Sequence, residues 1–125
     1  MSDSHQRGTE MRRQVLGDEH VDRAEAGRTA FTAEFADYFV RNAWGEVWTR
    51  PGLDLRTRSC VTVAMLVALN RPEELRIHVR GALRNGVTVD ELKEILLHSA
   101  VYCGVPAAND AFRVAREIVE SQPAT

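Results

Sequence analysis

Apolar residues recur along this chain at three- and four-residue intervals, and strand-like alternation is nearly absent, so the pattern predicts helices. Residues 1–9 carry no periodic apolar set and read as a mobile N-terminal tail. A short amphipathic segment follows at 10–16, stopped by Gly17, with a second around Val21. Phe31, Phe35, Tyr38 and Phe39 then predict a helix over about 28–43 with an aromatic face. The stretch "WGEVWTRPG", residues 44–52, breaks that pattern and reads as a connection or a short helical turn.

Asp54 is placed to cap the next helix, which runs to about Leu69. From Cys60 to Leu69 it is apolar almost all round, which predicts burial on most sides, as a central helix or at a subunit interface. Another start follows: Asn70 as cap, Pro72 in the first turn and Glu73 completing a capping-box pattern. Asn85 and Gly86 end that helix. Thr88 and Glu91 form a second capping box, opening a helix that stops at Gly104. Pro106 starts the last helix, with Phe112, Ala115 and Val119 on its inner side. The expected fold is all-α: a single-domain bundle of about six helices over residues 10–120, with a C-terminal tail at 121–125.

Composition narrows the functional classes. The 125 residues are 44% hydrophobic and 27% charged, with a net charge of −2, which argues against a general nucleic-acid surface. The longest apolar stretch, residues 60–69, is about half the ~20 residues a bilayer crossing needs, so no membrane partner is expected. The first residues carry no apolar run of a secretory signal. Cys60 and Cys103 form no CxxC pair and point to no metal cluster; they read as reduced thiols of a cytoplasmic protein. Of the sixteen basic residues, only Lys93 is lysine, a bias best read as genomic. Individual arginines still matter, because a guanidinium grips a carboxylate in two-pronged geometry.

Several side chains are candidates for chemistry. His78 lies four residues after Glu74, at the edge of a stripe formed by Leu75, Val79 and Ala82. That border between core and cleft suits a proton donor titrating near neutrality, although a histidine simply bonded to Glu74 is the plainer reading of this feature alone. His98 falls on the polar side of its helix, pairing with Glu94. Trp44 and Trp48, four apart with Glu46 between them, wall a pocket if the segment is helical, or close one end of the bundle. Arg50, Arg56 and Arg58 crowd the start of a helix, where cations are mildly unfavourable and an anionic partner would remove the misfit.

With these residues assembled, the sequence resembles the carboxymuconolactone decarboxylase family of the alkylhydroperoxidase-like superfamily. The matching landmarks are "AWGEVWTRPGLDLRTRS", "TVAMLVALNRPEELRIHVRGALRNGVT", "DELKEILLHSAVYCGVPAAN" and the later "AF", in the family's order. Peroxidases of the superfamily carry CxxCxxxH. Aligning that histidine with His78 puts Arg71 and Glu74 at the cysteine positions, so the thiolate and its resolving thiol are both missing.

The resemblance implies a helical, cofactor-independent enzyme assembled as a homohexamer. Its reaction would be decarboxylation of γ-carboxymuconolactone to the β-ketoadipate enol-lactone in protocatechuate degradation. It further implies that Arg50, Arg56 and Arg58 grip the substrate carboxylates and that Trp44 and Trp48 wall the ring pocket. His78 would donate the proton, partnered by Glu46 or Glu74. The competing readings are a non-catalytic helical ligand-binding module and a decarboxylase or isomerase acting on a related lactone.

Overall fold

The computed structural model describes residues 2–122. They form seven α-helices and one π-helix, and the chain divides into two compact units, one ending at Leu55 and the other beginning at Arg56. The all-α class is as expected. Residues 1 and 123–125 of the two expected tails lie outside the described residues.

The first unit holds α1 (Asp3–Leu16), α2 (Asp18–Ala26), α3 (Ala33–Phe39) and the π-helix (Val40–Val47). Residues 3–9, expected as a tail, are therefore helical. Ser2 caps α1 by accepting a hydrogen bond from the His5 amide at 3.2 Å, and Asp3 complements the first turn. The amphipathic signal was hidden because the inner face is built from Gly8, Arg12 and Val15, of which only valine registers as apolar. Gly17 ends the helix as predicted.

The helix expected over 28–43 begins only at Ala33 and does not stop at 43, because the π-helix carries it through Trp44 to Val47. Its aromatic face is turned outward: Phe31 is 95% exposed, Phe35 66% and Tyr38 55%. Phe39 differs, lying beneath the buried Arg12 guanidinium at 5.2 Å, a cation–π contact. Arg12 also donates to Glu25 at 3.2 Å.

Asp37 fastens α3 to its surroundings. Arg28 donates to both its oxygens, at 3.1 and 2.8 Å, and His5 Nε2 lies 3.0 Å from Oδ1. These two partners, Arg28 first, hold the Asp37 carboxyl at about 2, below its ordinary 3.8.

The second unit holds α4 (Leu55–Ala68), α5 (Pro72–Arg84), α6 (Val89–Cys103) and α7 (Val105–Glu120). Its core joins Val63 and Val67 of α4, Leu75, Val79 and Ala82 of α5, Leu92 and Leu96 of α6, and Ala111, Val114 and Ile118 of α7. Within the single chain α4 is not buried on most sides, so of its two expected settings the central one is corrected. Ser59, Val63 and Val67 are buried, whereas Val61, Met65 and Leu69 are 39%, 58% and 65% exposed.

Asn70 does not cap α5. It takes a left-handed conformation, φ 55°, and its amide bonds back to Val67, so it closes α4. The α5 cap position belongs to Arg71, with no side-chain cap bond, and Pro72 fills the first turn. The Thr88–Glu91 capping box forms as read, through bonds of 2.9 and 3.1 Å. Gly104, φ 94°, turns the chain between α6 and α7.

The Asp37 network gives an acid prediction. A carboxyl depressed on folding contributes stability that is complete above its unfolded value of 3.8 and lost as pH falls through about 2. Hydrogen exchange of α1 should accelerate over that window, and Asp37→Asn should abolish the acid limb. An α1 whose protection is unchanged between those pH values in wild type would contradict the latch.

Candidate active site

Trp44 and Trp48 stack, with ring centroids 5.0 Å apart and planes 22° from parallel. Offset stacking adds about 0.5–1.5 kcal/mol beyond burial. The segment is helical, as the pocket-wall reading required, and rings four positions apart share a helix face. Trp44 is 6% exposed and belongs to the core of the first unit, while Trp48 is half-buried. Glu46 is exposed. Two positions along a helix do not share a face, so Glu46 does not project between the rings as the sequence reading had it. The Thr49 hydroxyl donates to the Gly45 carbonyl at 2.6 Å and the Trp48 amide to Ala43 at 3.0 Å. Arg50 follows, exposed, in the connection to α4.

In the second unit, Arg56 and Arg58 occupy the first turn of α4. Arg56 pairs with Glu91, the residue that also completes the Thr88 capping box. Its misfit at a helix N-terminus is thus relieved from within the protein, and no outside anion is needed there. Arg58 is half-buried. Arg76 is held by Glu117 at 3.2 Å.

His78 sits where the spacing put it, half-buried beside the buried Leu75, Val79 and Ala82, with Glu74 exposed one turn earlier. His98 is exposed, as expected of the polar side. Among the described residues no hydrogen bond or ion pair joins it to Glu94; its ring packs on Tyr102, centroids 5.2 Å apart.

Two hollows add what periodicity did not reveal. A shallow groove of about 410 Å³ runs between α4 and α6, lined by Cys60, Val61, Ala64, Glu94, Ile95, His98 and Ser99. The signal for it was the run of small residues facing one another at Cys60, Ala64 and Ser99. Within the first unit, a hollow of about 210 Å³ is lined by His5, Arg12, Arg13, Glu25 and Arg28, among others. Each of its arginines already meets an acid: Arg12 Glu25, Arg13 Asp18 and Asp22, Arg28 Asp37. This cluster is neutralised internally and serves to join helices. Cys60 and Cys103 are free and half-buried. Among the described residues no three His, Cys, Asp or Glu side chains group as metal ligands, and no helix is long and apolar enough to cross a membrane.

Comparison with known proteins decides the family. Residues 33–117 match the model of the carboxymuconolactone decarboxylase family. The chain belongs to that family. It is similar to a 4-carboxymuconolactone decarboxylase of Acinetobacter baylyi, 49% identical over 91% of this chain and 85% of the relative. It is also similar to a nitrosuccinic acid decarboxylase of Metarhizium robertsii, 41% identical over 90% of this chain and 78% of the relative. An uncharacterised 15.0 kDa protein of Paracoccus denitrificans is 33% identical over 60% of the chain.

The burial difference between Trp44 and Glu46 separates packing from chemistry. Trp44→Ala should cost about 3–5 kcal/mol of stability in the first unit, as large-to-small core changes do. Glu46→Gln should stay within about 0.5 kcal/mol of wild type, as exposed substitutions do. Denaturant unfolding of the two variants checks this, and equal losses would refute the assignment of Trp44 to the core.

Proposed function

We propose that this chain decarboxylates γ-carboxymuconolactone to the β-ketoadipate enol-lactone without a cofactor. The observation that carries this reading is the 49% identity, over 91% of the chain, to a 4-carboxymuconolactone decarboxylase. The chemistry is self-contained. As the carbon–carboxylate bond breaks, its electron pair moves through the ring double bond into the lactone carbonyl, giving a dienolate. A proton then adds to the carbon beside that carbonyl. The protein's task is to hold a dianion, stabilise charge growing on the carbonyl oxygen and deliver one proton.

Arg50, Arg56 and Arg58 are the cations that would meet the carboxylates, and Arg56 also pairs with Glu91. A guanidinium–carboxylate fork fixes orientation as well as charge. Trp48, the half-buried member of the stack, supplies a flat wall that excludes water, while Trp44 backs it from the core. His78 is the proton donor, the role histidine most often takes in general acid catalysis. Glu46 or Glu74, both exposed, returns the proton to it.

A second substrate follows from the relative that is 41% identical. Nitrosuccinic acid and γ-carboxymuconolactone share a grouping: the carbon that bears the departing carboxylate also bears a CH2–carboxylate arm and an electron sink. The sink is a nitro group in one and the unsaturated lactone in the other. We therefore read the recognised unit as a succinate substituted with an electron sink, and expect slower turnover of nitrosuccinate.

The protein also works as a homo-oligomer, a hexamer by resemblance. The exposed Phe31, Phe35, Met65 and Leu69 support association, being more apolar surface than a small chain ordinarily leaves uncovered. The two free thiols fit a reducing cytoplasm. Light scattering at micromolar concentration should give a multiple of the chain mass; a stable monomer would overturn this part.

Kinetics test the site. His78→Ala should lower kcat by about 10²–10⁴-fold, the contribution of a positioned acid, with KM little changed. Arg50→Ala and Arg58→Ala should act mainly on KM, by about ten- to a hundredfold, since a charge-assisted hydrogen bond contributes about 1.5–3 kcal/mol. His98 lines the α4–α6 groove, so it is the competing donor. If His98→Ala carries the kcat loss and His78→Ala is silent, the reaction belongs to that groove.

A further inference from the structure

We propose that α1 is the positioning element of the active-site segment, and that Gly8 and Gly45 set the direction in which Trp48 and Glu46 are presented. The proposal rests on the roles given above to those two side chains. Its ground is a backbone contact. A Cβ built on Gly8 would overlap the Val40 carbonyl oxygen and lie 2.9 Å from the Gly45 nitrogen. One built on Gly45 would overlap the Ser4 carbonyl oxygen. The two helices meet through their main chains, close enough for reciprocal Cα–H···O contacts.

The atoms that Gly8 covers have a particular meaning. The Val40 oxygen and the Gly45 nitrogen are five residues apart, the spacing of a π-helical hydrogen bond. Gly8 therefore sits on a π-turn, where any side chain would displace one or both members of that pair. A π-turn holds one residue more than an α-turn. Reverting it would rotate everything beyond by about 100° relative to α3, the angle of one residue in an α-helix. Glu46 and Trp48 would then point elsewhere.

Other contacts of α1 grip the entry to the same turn. His5 Nε2 lies 3.0 Å from Asp37 and Arg12 lies over Phe39. His5, Gly8 and Arg12 recur at three- and four-residue intervals, on one face of α1. The Asn42 side-chain Nδ2 donates to the Tyr38 carbonyl at 3.0 Å, serving an acceptor at the junction where α-helix becomes π-helix. The family model is matched from residue 33, beyond α1, while the alignment with the 49% identical relative covers 91% of the chain.

The stacked tryptophans report the register directly, because two indoles at 5.0 Å couple and give a paired band in far-ultraviolet circular dichroism. Gly8→Ala and Gly45→Ala, in the full chain, should lose that band and lower kcat by about 10²-fold, the cost of a displacement near 1 Å. Gly52→Ala, whose Cβ meets nothing within 4 Å, should keep both. A Gly8→Ala protein that keeps the band, or loses it and turns over at the wild-type rate, overturns the proposal.

Should the glycine variants fail to fold, native-state hydrogen exchange of wild type decides. The amides of Gly45 to Trp48 must open together with those of α1 as one unit, and independent opening overturns the proposal. The band and the exchange pattern need no substrate, so a wild-type protein inactive on γ-carboxymuconolactone would fail the functional reading while leaving these two readouts to judge the register.

Discussion

Where α1 crosses the π-helix, backbone meets backbone, and the first unit is organised around that approach. The approach needs Gly8 on one helix and Gly45 on the other. An α-helix carries its own hydrogen bonds and tolerates a loose neighbour; a π-turn is rare and needs support from outside. Here that support comes from α1, which places Gly8 over the turn, Arg12 over Phe39 and His5 beside Asp37. The stacked tryptophans, the exposed Glu46 and the connection carrying Arg50 all follow from the direction the π-helix takes on leaving α3.

The fold class was legible because it rests on apolar spacing and on capping chemistry. Thr88 with Glu91, Gly17, Gly104 and the stripe of Leu75, Val79 and Ala82 all behave as their residue types dictate. What could not be read depends on backbone contact or on what a side chain meets after folding. Residues 1–9 read as a tail for want of a periodic apolar set, yet Gly8 among them is the residue that lets a helix pack there. Asn70 looked like a cap for α5 and is the left-handed residue closing α4. The apolar run from Cys60 to Leu69 predicted burial on most sides, in a core or at a subunit interface, and one of its faces is open in the single chain.

The site divides similarly. The edge position of His78 and the outward position of His98 follow from helical phase, and both hold. The crowd of arginines near the start of α4 was read as a demand for an anionic ligand. For Arg56 the demand is met by Glu91, which comes from the distant capping box. No local pattern could have paired them. Internal neutralisation recurs in the first unit, where Arg12, Arg13 and Arg28 each face a carboxylate.

The proposed reaction asks little of the protein in bond-making terms, since the substrate supplies the electron sink and the protein supplies charge, exclusion of water and one proton to carbon. Its signature is the origin of that proton. Wild-type protein incubated with freshly generated γ-carboxymuconolactone in D2O, followed by proton NMR, measures it. One carboxylate should leave as carbon dioxide, and a single deuterium should appear on the carbon beside the lactone carbonyl of the enol-lactone. Folded protein that forms no product, or a product carrying no deuterium at that carbon, would contradict it.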